Sequence, residues 1–175
     1  DVKYQVHQLE QAFPKLKLLD RTSLTINGVK VLGTTLWSHI PQHAYKEAED
    51  FLNDFRLIYH RRNNSNKKYS VLRAEVADRW FNEELAWLEG EIRKVEKNQP
   101  ILVVTHHTPL LQGTSHPRFK WPGADGPNTH LANHCFSTDL KHVLERVDVW
   151  VCGHTHFNFD FREARKGRGG RVVSN

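Results

Sequence analysis

Apolar positions along the chain follow two rhythms. Val76, Trp80, Leu85, Leu88, Ile92 and Val95 recur at steps of three to five residues, the spacing that gathers side chains on one helical face. They predict a long amphipathic helix from about residue 73 to 96. Val2 to Phe13 predicts a shorter helix, closed by Pro14, whose ring cannot continue the hydrogen-bond ladder. His43 to Tyr59 has helical composition, with Phe51, Phe55 and Ile58 on one apolar face.

The second rhythm is that of strands. Leu24-Thr25-Ile26 and Val29-Lys30-Val31-Leu32 flank Asn27-Gly28, a pair suited to the two positive-φ positions of a tight hairpin turn. Residues 101–105 and 148–152 form continuous apolar runs that predict buried strands. Phe157, Phe159 and Phe161 alternate with Asn158, Asp160 and Arg162, a strand with one buried face. Val172-Val173 predicts a strand pairing back across the Gly/Arg turn. Ser137 or Thr138 is suited to cap a helix running to about Arg146. Between the strand ending at Thr105 and that helix lies a loop of roughly thirty residues, rich in Pro and Gly around Trp121 to Pro127. A loop of that length is unusual unless it has a function or is disordered. Helices alternate with strands, and no linker or repeat divides the chain. The pattern predicts one α/β domain.

Composition narrows the classes. With 175 residues the chain is long enough for a real core. No apolar run approaches the ~20 residues of a membrane span, and no signal-peptide pattern opens the chain, so no membrane partner is expected. Cys135 and Cys152, the only two cysteines, make no disulfide framework and fit packed thiols in a reducing, cytoplasmic setting. The formal charge of +5 suits anionic ligands. Its basic residues cluster beside Asn63 to Asn66 and around Gly167, Gly169 and Gly170. Both clusters read as solvated loops, and neither interleaves aromatics for base stacking, so nucleic acid is not the favoured partner.

Histidine placement carries the chemistry. The strand ending at Cys152 runs directly into Gly153-His154-Thr155-His156. Forty-eight residues before His154, the strand ending at Thr105 runs into His106-His107-Thr108-Pro109. Open α/β sheets bind ligands at the carboxyl ends of their strands, and neutral imidazole is the commonest metal ligand among side chains. Two strands that both end in paired histidines predict two edges of one metal site.

Strand-Thr-His-His-x-Pro followed by strand-Gly-His-Thr-His resembles the last two metal motifs of the calcineurin-like metallophosphoesterases. Val31 to Ser38 is similar to a strand and loop that many members carry before them. Cys135 to Leu140 resembles the segment leading to the helix before the last motif, and Val172 to Asn175 the start of a later strand. The resemblance covers nearly everything from about residue 20 onward. Three motifs of the family do not occur: Asp-x-His, Gly-Asp-x-x-Asp, and Gly-Asn-His followed by Glu or Asp. With Asp1 as the first residue and no Met in the chain, residues 1–175 are read as the C-terminal portion of a single such domain.

The resemblance implies an αββα sandwich with mixed β-sheets and metal-dependent hydrolysis of phosphomonoesters or phosphodiesters. It implies two divalent ions, Mn, Fe or Zn, in the complete domain; by charge and ligand count, three neutral imidazoles in this chain by itself suit one zinc-like ion with water in the fourth position. His106 and His154 would ligate one metal and His156 the other, while His107 would stand behind the ligands or face the phosphate as the catalytic histidine. His116, His130 and His134, in or beside the long loop, would contact substrate. The alternative is a truncated, non-catalytic module that binds or regulates. Oligomeric state is not legible in these residues.

Overall fold

The computed structural model describes residues 2–61, 69–117, 134–163, 168 and 170–175. The chain opens with helix α1 (Val2–Ala12), hairpin strands β1 (Thr22–Ile26) and β2 (Val29–Gly33), and a 3-10 turn at Gln42–Ala44. Short helices α2 (Tyr45–Phe51) and α3 (Asp54–Leu57) lead to strands β3 (Tyr59–Arg61) and β4 (Tyr69–Val71). Helix α4 (Ala74–Lys94), strand β5 (Ile101–Val104), helix α5 (Lys141–Leu144) and strands β6 (Val149–Val151), β7 (Phe159–Arg162) and β8 (Arg171–Ser174) complete the order.

Six strands form a mixed sheet in the order β1-β2-β5-β6-β8-β7, and β3 pairs with β4 in a separate ribbon. Strands β2, β5, β6 and β8 are parallel neighbours, whereas β1 and β7 run antiparallel at the edges. The fold class is α/β, as the alternating pattern predicts. Asn27 (φ 49°) and Gly28 (φ 83°) occupy the two left-handed positions of the β1–β2 turn.

Helix α4 covers one face of the sheet. Phe81, Leu88 and Ile92 pack with Leu32, Val103, Trp150 and Val172 in the main core. Trp150 is fully buried and satisfies its indole by donating to Thr105 Oγ1 at 2.9 Å. A second cluster joins Ala44, Ala48 and Phe55 to Leu72, Ala77 and Cys135, and ties α2 and α3 to the rest.

Three sequence expectations are corrected. The helix anticipated over His43 to Tyr59 is broken: Leu52 is extended (φ −85°, ψ 134°) and separates α2 from α3. Asn53 then restarts the chain, its carbonyl accepting from the amides of Arg56 and Leu57; Asn and Asp favour such local turns over helix interiors. The break turns Phe55 into the core and leaves Phe51 half exposed, so the two do not share a face. Second, the helix before β6 shortens to Lys141–Leu144 because its expected caps are used elsewhere. The Ser137 hydroxyl pairs with Thr108 at 2.6 Å, and Thr138 Oγ1 accepts from the His39 amide. Third, the buried stripe of α4 keeps Leu88 and Ile92 from the sequence reading but in the first half of the helix shifts by one position, to Ala77, Phe81 and Glu84 in place of Val76, Trp80 and Leu85. It includes a carboxylate, whose use appears below.

Candidate metal centre

Strands β5 and β6 are parallel neighbours in register, with Val104 beside Val151. Both chains therefore leave the sheet at the same edge, and the Gly153 amide donates to the His106 carbonyl at 3.0 Å. That bond locks the two histidine turns together. A third strand end joins them: the Thr35 carbonyl, just past β2, accepts from the amides of His106 (3.0 Å) and His107 (3.3 Å).

The loop carrying Thr35 is itself held. Leu36 takes a left-handed conformation (φ 49°) that a bulky side chain rarely adopts. The buried Glu84 carboxylate accepts from the next amide, Trp37, at 3.2 Å. Burial raises the Glu84 pKa, and the bonds from Trp37 and Leu36 oppose that rise in part. At the far end of the loop, Ser38 Oγ lies 2.8 Å from His107 Nδ1 in a buried hydrogen bond.

In the Gly-His-Thr-His turn the strained positions are the histidines. His154 has φ 65° and His156 φ 51°. The Thr155 amide donates to the Gly153 carbonyl at 2.7 Å, an i to i+2 bond that closes a γ-turn around His154. Left-handed non-glycine residues cost energy and collect at functional sites. Here they aim two imidazoles into one cleft.

His154 Nδ1 stands 3.0 Å from His106 Nε2. The His107 ring stacks on His154 with centroids 4.1 Å apart. One ligand atom from each of His106, His107 and His154 lies within 4.8 Å of the others. Burial pushes the His154 pKa down to about 4, with the neighbouring His106 adding to the effect and Asp54 opposing it. Burial likewise holds His107 well below its ordinary value, reinforced by His154 and His106, and lowers His106 to a lesser degree. The rings are thus neutral at pH 7, the form that ligates metal.

His154 Nε2 is buried and has no hydrogen-bond partner among the described residues. The Cys135 backbone beside the ring favours its protonated form. An orphaned buried ring nitrogen costs stability unless something meets it. Two ligands of a tetrahedral zinc, at ~2.0 Å each, stand ~3.3 Å apart, close to the 3.0 Å between His154 Nδ1 and His106 Nε2, so Nδ1 rather than the orphaned Nε2 faces that position. The three imidazoles fit a metal ion.

His106, His154 and His156 line a common cleft of about 480 Å³, together with Asn53, Asp54 and Phe136. His107 stands behind His154, only 3% exposed. His116 packs edge-on against Phe157 and His134 against His43, and neither is among the residues lining the cleft. His130 lies outside the described residues. Asn53 and Asp54 carried no signal in the sequence, because only the break between α2 and α3 brings them to the histidines. Cys135 and Cys152 are buried free thiols, pushed up to about 12 by that burial.

No family model matches the chain. The chain is similar to Uncharacterized protein L509 of Acanthamoeba polyphaga mimivirus, with 26% identity over 163 residues, covering 92% of this chain and 55% of the relative. The structure is similar to that of phosphopantetheinyl hydrolase (PptH) from Mycobacterium tuberculosis, with a TM-score of 0.58 and 15% identity. The match covers 99% of this chain and 60% of the hydrolase, so the chain spans little more than half the length of either protein. Among the described residues, no helix is long and apolar enough to cross a membrane.

Proposed function

We propose that the chain contributes the histidine half of a metal-dependent phosphoester hydrolase of the calcineurin-like type. The observation that carries this reading is the convergence of His106, His107 and His154, one ligand atom of each within 4.8 Å of the others and all three pKa values lowered by burial. The motifs around His106 and His154 and the fold shared with a hydrolase support it. Bound divalent metal supplies Lewis acidity toward phosphoryl oxygens and makes water a nucleophile at neutral pH.

The chain's own residues hold and orient. His106 and His154 would ligate one ion, and His156, on the same cleft, a second. His107, fixed through Nδ1 by Ser38, braces the His154 ring from behind and keeps its plane. Three neutral rings cannot offset two close dications, and among the described residues no carboxylate joins the histidine cluster. This chain by itself therefore holds one ion, and the dinuclear centre belongs to an assembly that adds carboxylates. His116, His130 and His134 are proposed to meet substrate from the long loop. A cytoplasmic setting is proposed from the two unpaired cysteines.

Calorimetric titration of the metal-free chain with zinc or manganese tests the reading. One ion per chain, lost in His154→Ala, is expected; no binding by folded protein overturns it. A non-catalytic module is the second reading, favoured by the same want of carboxylates. Phosphatase and phosphodiesterase assays on a longer protein carrying the chain separate the two.

A further inference from the structure

The cleft above the histidines has an asymmetric wall. Phe51, half exposed, meets Phe136 edge-on with centroids 6.1 Å apart, and Phe136 lies against His154 at 5.1 Å. An apolar path thus runs from solvent to the metal-binding rings. Beside it the elbow between α2 and α3 presents Asn53 and Asp54. The Asp54 carboxylate is near enough to His106 and His154 to favour their protonated forms against the effect of burial. Among the described residues lining the cleft there is no Lys or Arg, and Asp54 is the sole acid.

That distribution is odd for a site meant to receive highly charged phosphates. A phosphoryl group drawn to metal on the histidines would leave its organic half against Phe51, Phe136 and Asp54. Additional phosphates there would meet the Asp54 carboxylate, with no Lys or Arg among the described lining residues to offset it. An apolar group carrying no charge or a positive one would bury surface on the two rings, and a cation would gain from Asp54. About 480 Å³ suits a small organic molecule.

Building on the hydrolase reading, we propose that Asp54 and the Phe51–Phe136 wall select phosphoesters of small apolar alcohols, neutral or cationic, and reject polyanions. Asp54 lies outside the group of mutually close ligand atoms. It is a specificity residue, acting on the substrate's organic half through charge.

The test uses equilibrium binding of non-hydrolysable probes to the zinc-loaded chain, with zinc stoichiometry measured separately. The probes are phenethylphosphonate, 2-(trimethylammonio)ethylphosphonate and the methylene analogue of ADP. Wild type is expected to bind the first two more tightly than the ADP analogue. Asp54→Asn should raise affinity for the ADP analogue relative to phenethylphosphonate about three- to tenfold, and weaken the ammonium probe by a similar factor. Phe51→Ala should weaken phenethylphosphonate and leave zinc binding unchanged. Affinity ratios that stay the same in Asp54→Asn, with zinc bound, overturn the proposal while leaving the metal reading intact. Failure to bind zinc overturns the metal reading instead. The probes are then compared on the metal-free cleft, where the same dependence on Asp54 still decides the selection.

Discussion

His154 Nδ1 and His106 Nε2 face each other across 3.0 Å at the ends of neighbouring parallel strands. They stand 48 positions apart in sequence, and only the β5–β6 register brings them together. Removing either ring should therefore abolish metal binding while the sheet survives. His154→Ala is expected to weaken zinc by at least about 100-fold, read by calorimetry, with little loss of thermal stability. His142→Ala is the control: that ring pairs with Glu89 on the surface and should be silent. Equal damage from both substitutions would point to a general structural effect.

The lowered pKa of His154 has a consequence for stability. The unfolded ring takes up a proton near 6.5, whereas the folded one stays neutral down to about 4. The unfolded state binds more protons across that window, so the metal-free protein loses stability as pH falls from about 6.5 to 4. This ring contributes on the order of 3 kcal/mol to the loss. Urea titrations in EDTA at several pH values check it, and His154→Leu should flatten the slope.

Glu84 offers a test of how the histidine loop is held. Its buried carboxylate accepts from the Trp37 amide beside the strained Leu36. Glu84→Leu leaves buried amides unpaired and should cost ~1–3 kcal/mol. Glu84→Gln keeps an acceptor and removes a buried charge, so it should be close to neutral at pH 7. Histidine resonances of the metal site should move in the Leu variant and stay in place in the Gln variant. Equal damage from both would show that the charge, rather than the acceptor, holds the loop.

Arg168 is expected to behave as a structural residue. Its guanidinium donates to the carbonyls of Lys97 and Gln99 and to Asp148 Oδ2, and Asp148 also accepts from the Ile101 amide at 2.8 Å. One side chain thus ties the starts of β5 and β6. Arg168→Ala should destabilise the protein by ~1–3 kcal/mol, measured by denaturant unfolding, without changing zinc stoichiometry.

These residues mark where sequence reading succeeds and where it stops. The long helix, the Asn27-Gly28 hairpin and the two histidine-tipped strands were legible because each rests on a pattern within a dozen residues. The polar clusters were not. Arg168 sits in a Gly/Arg run that reads as solvated charge, yet its partners lie twenty or more positions away. Glu84 looks like one more polar residue on an amphipathic helix until the loop after β2 arrives to use it. Asp54 reaches the cleft only because Leu52 leaves the helical conformation, and the Asn53 turn and the burial of Phe55 that accompany the break become visible only in the folded chain.

The Gly-His-Thr-His turn inverts a usual division of labour. A side chain on Gly153 would meet nothing closer than the His106 carbonyl at 3.9 Å, so alanine fits there. The left-handed dihedrals fall instead on His154 and His156, positions where glycine or asparagine would sit more comfortably. On stability alone, random substitution would relax this turn by discarding its imidazoles. The fold offers no shelter to these histidines, and their persistence in a lineage would have to be enforced by the work they do.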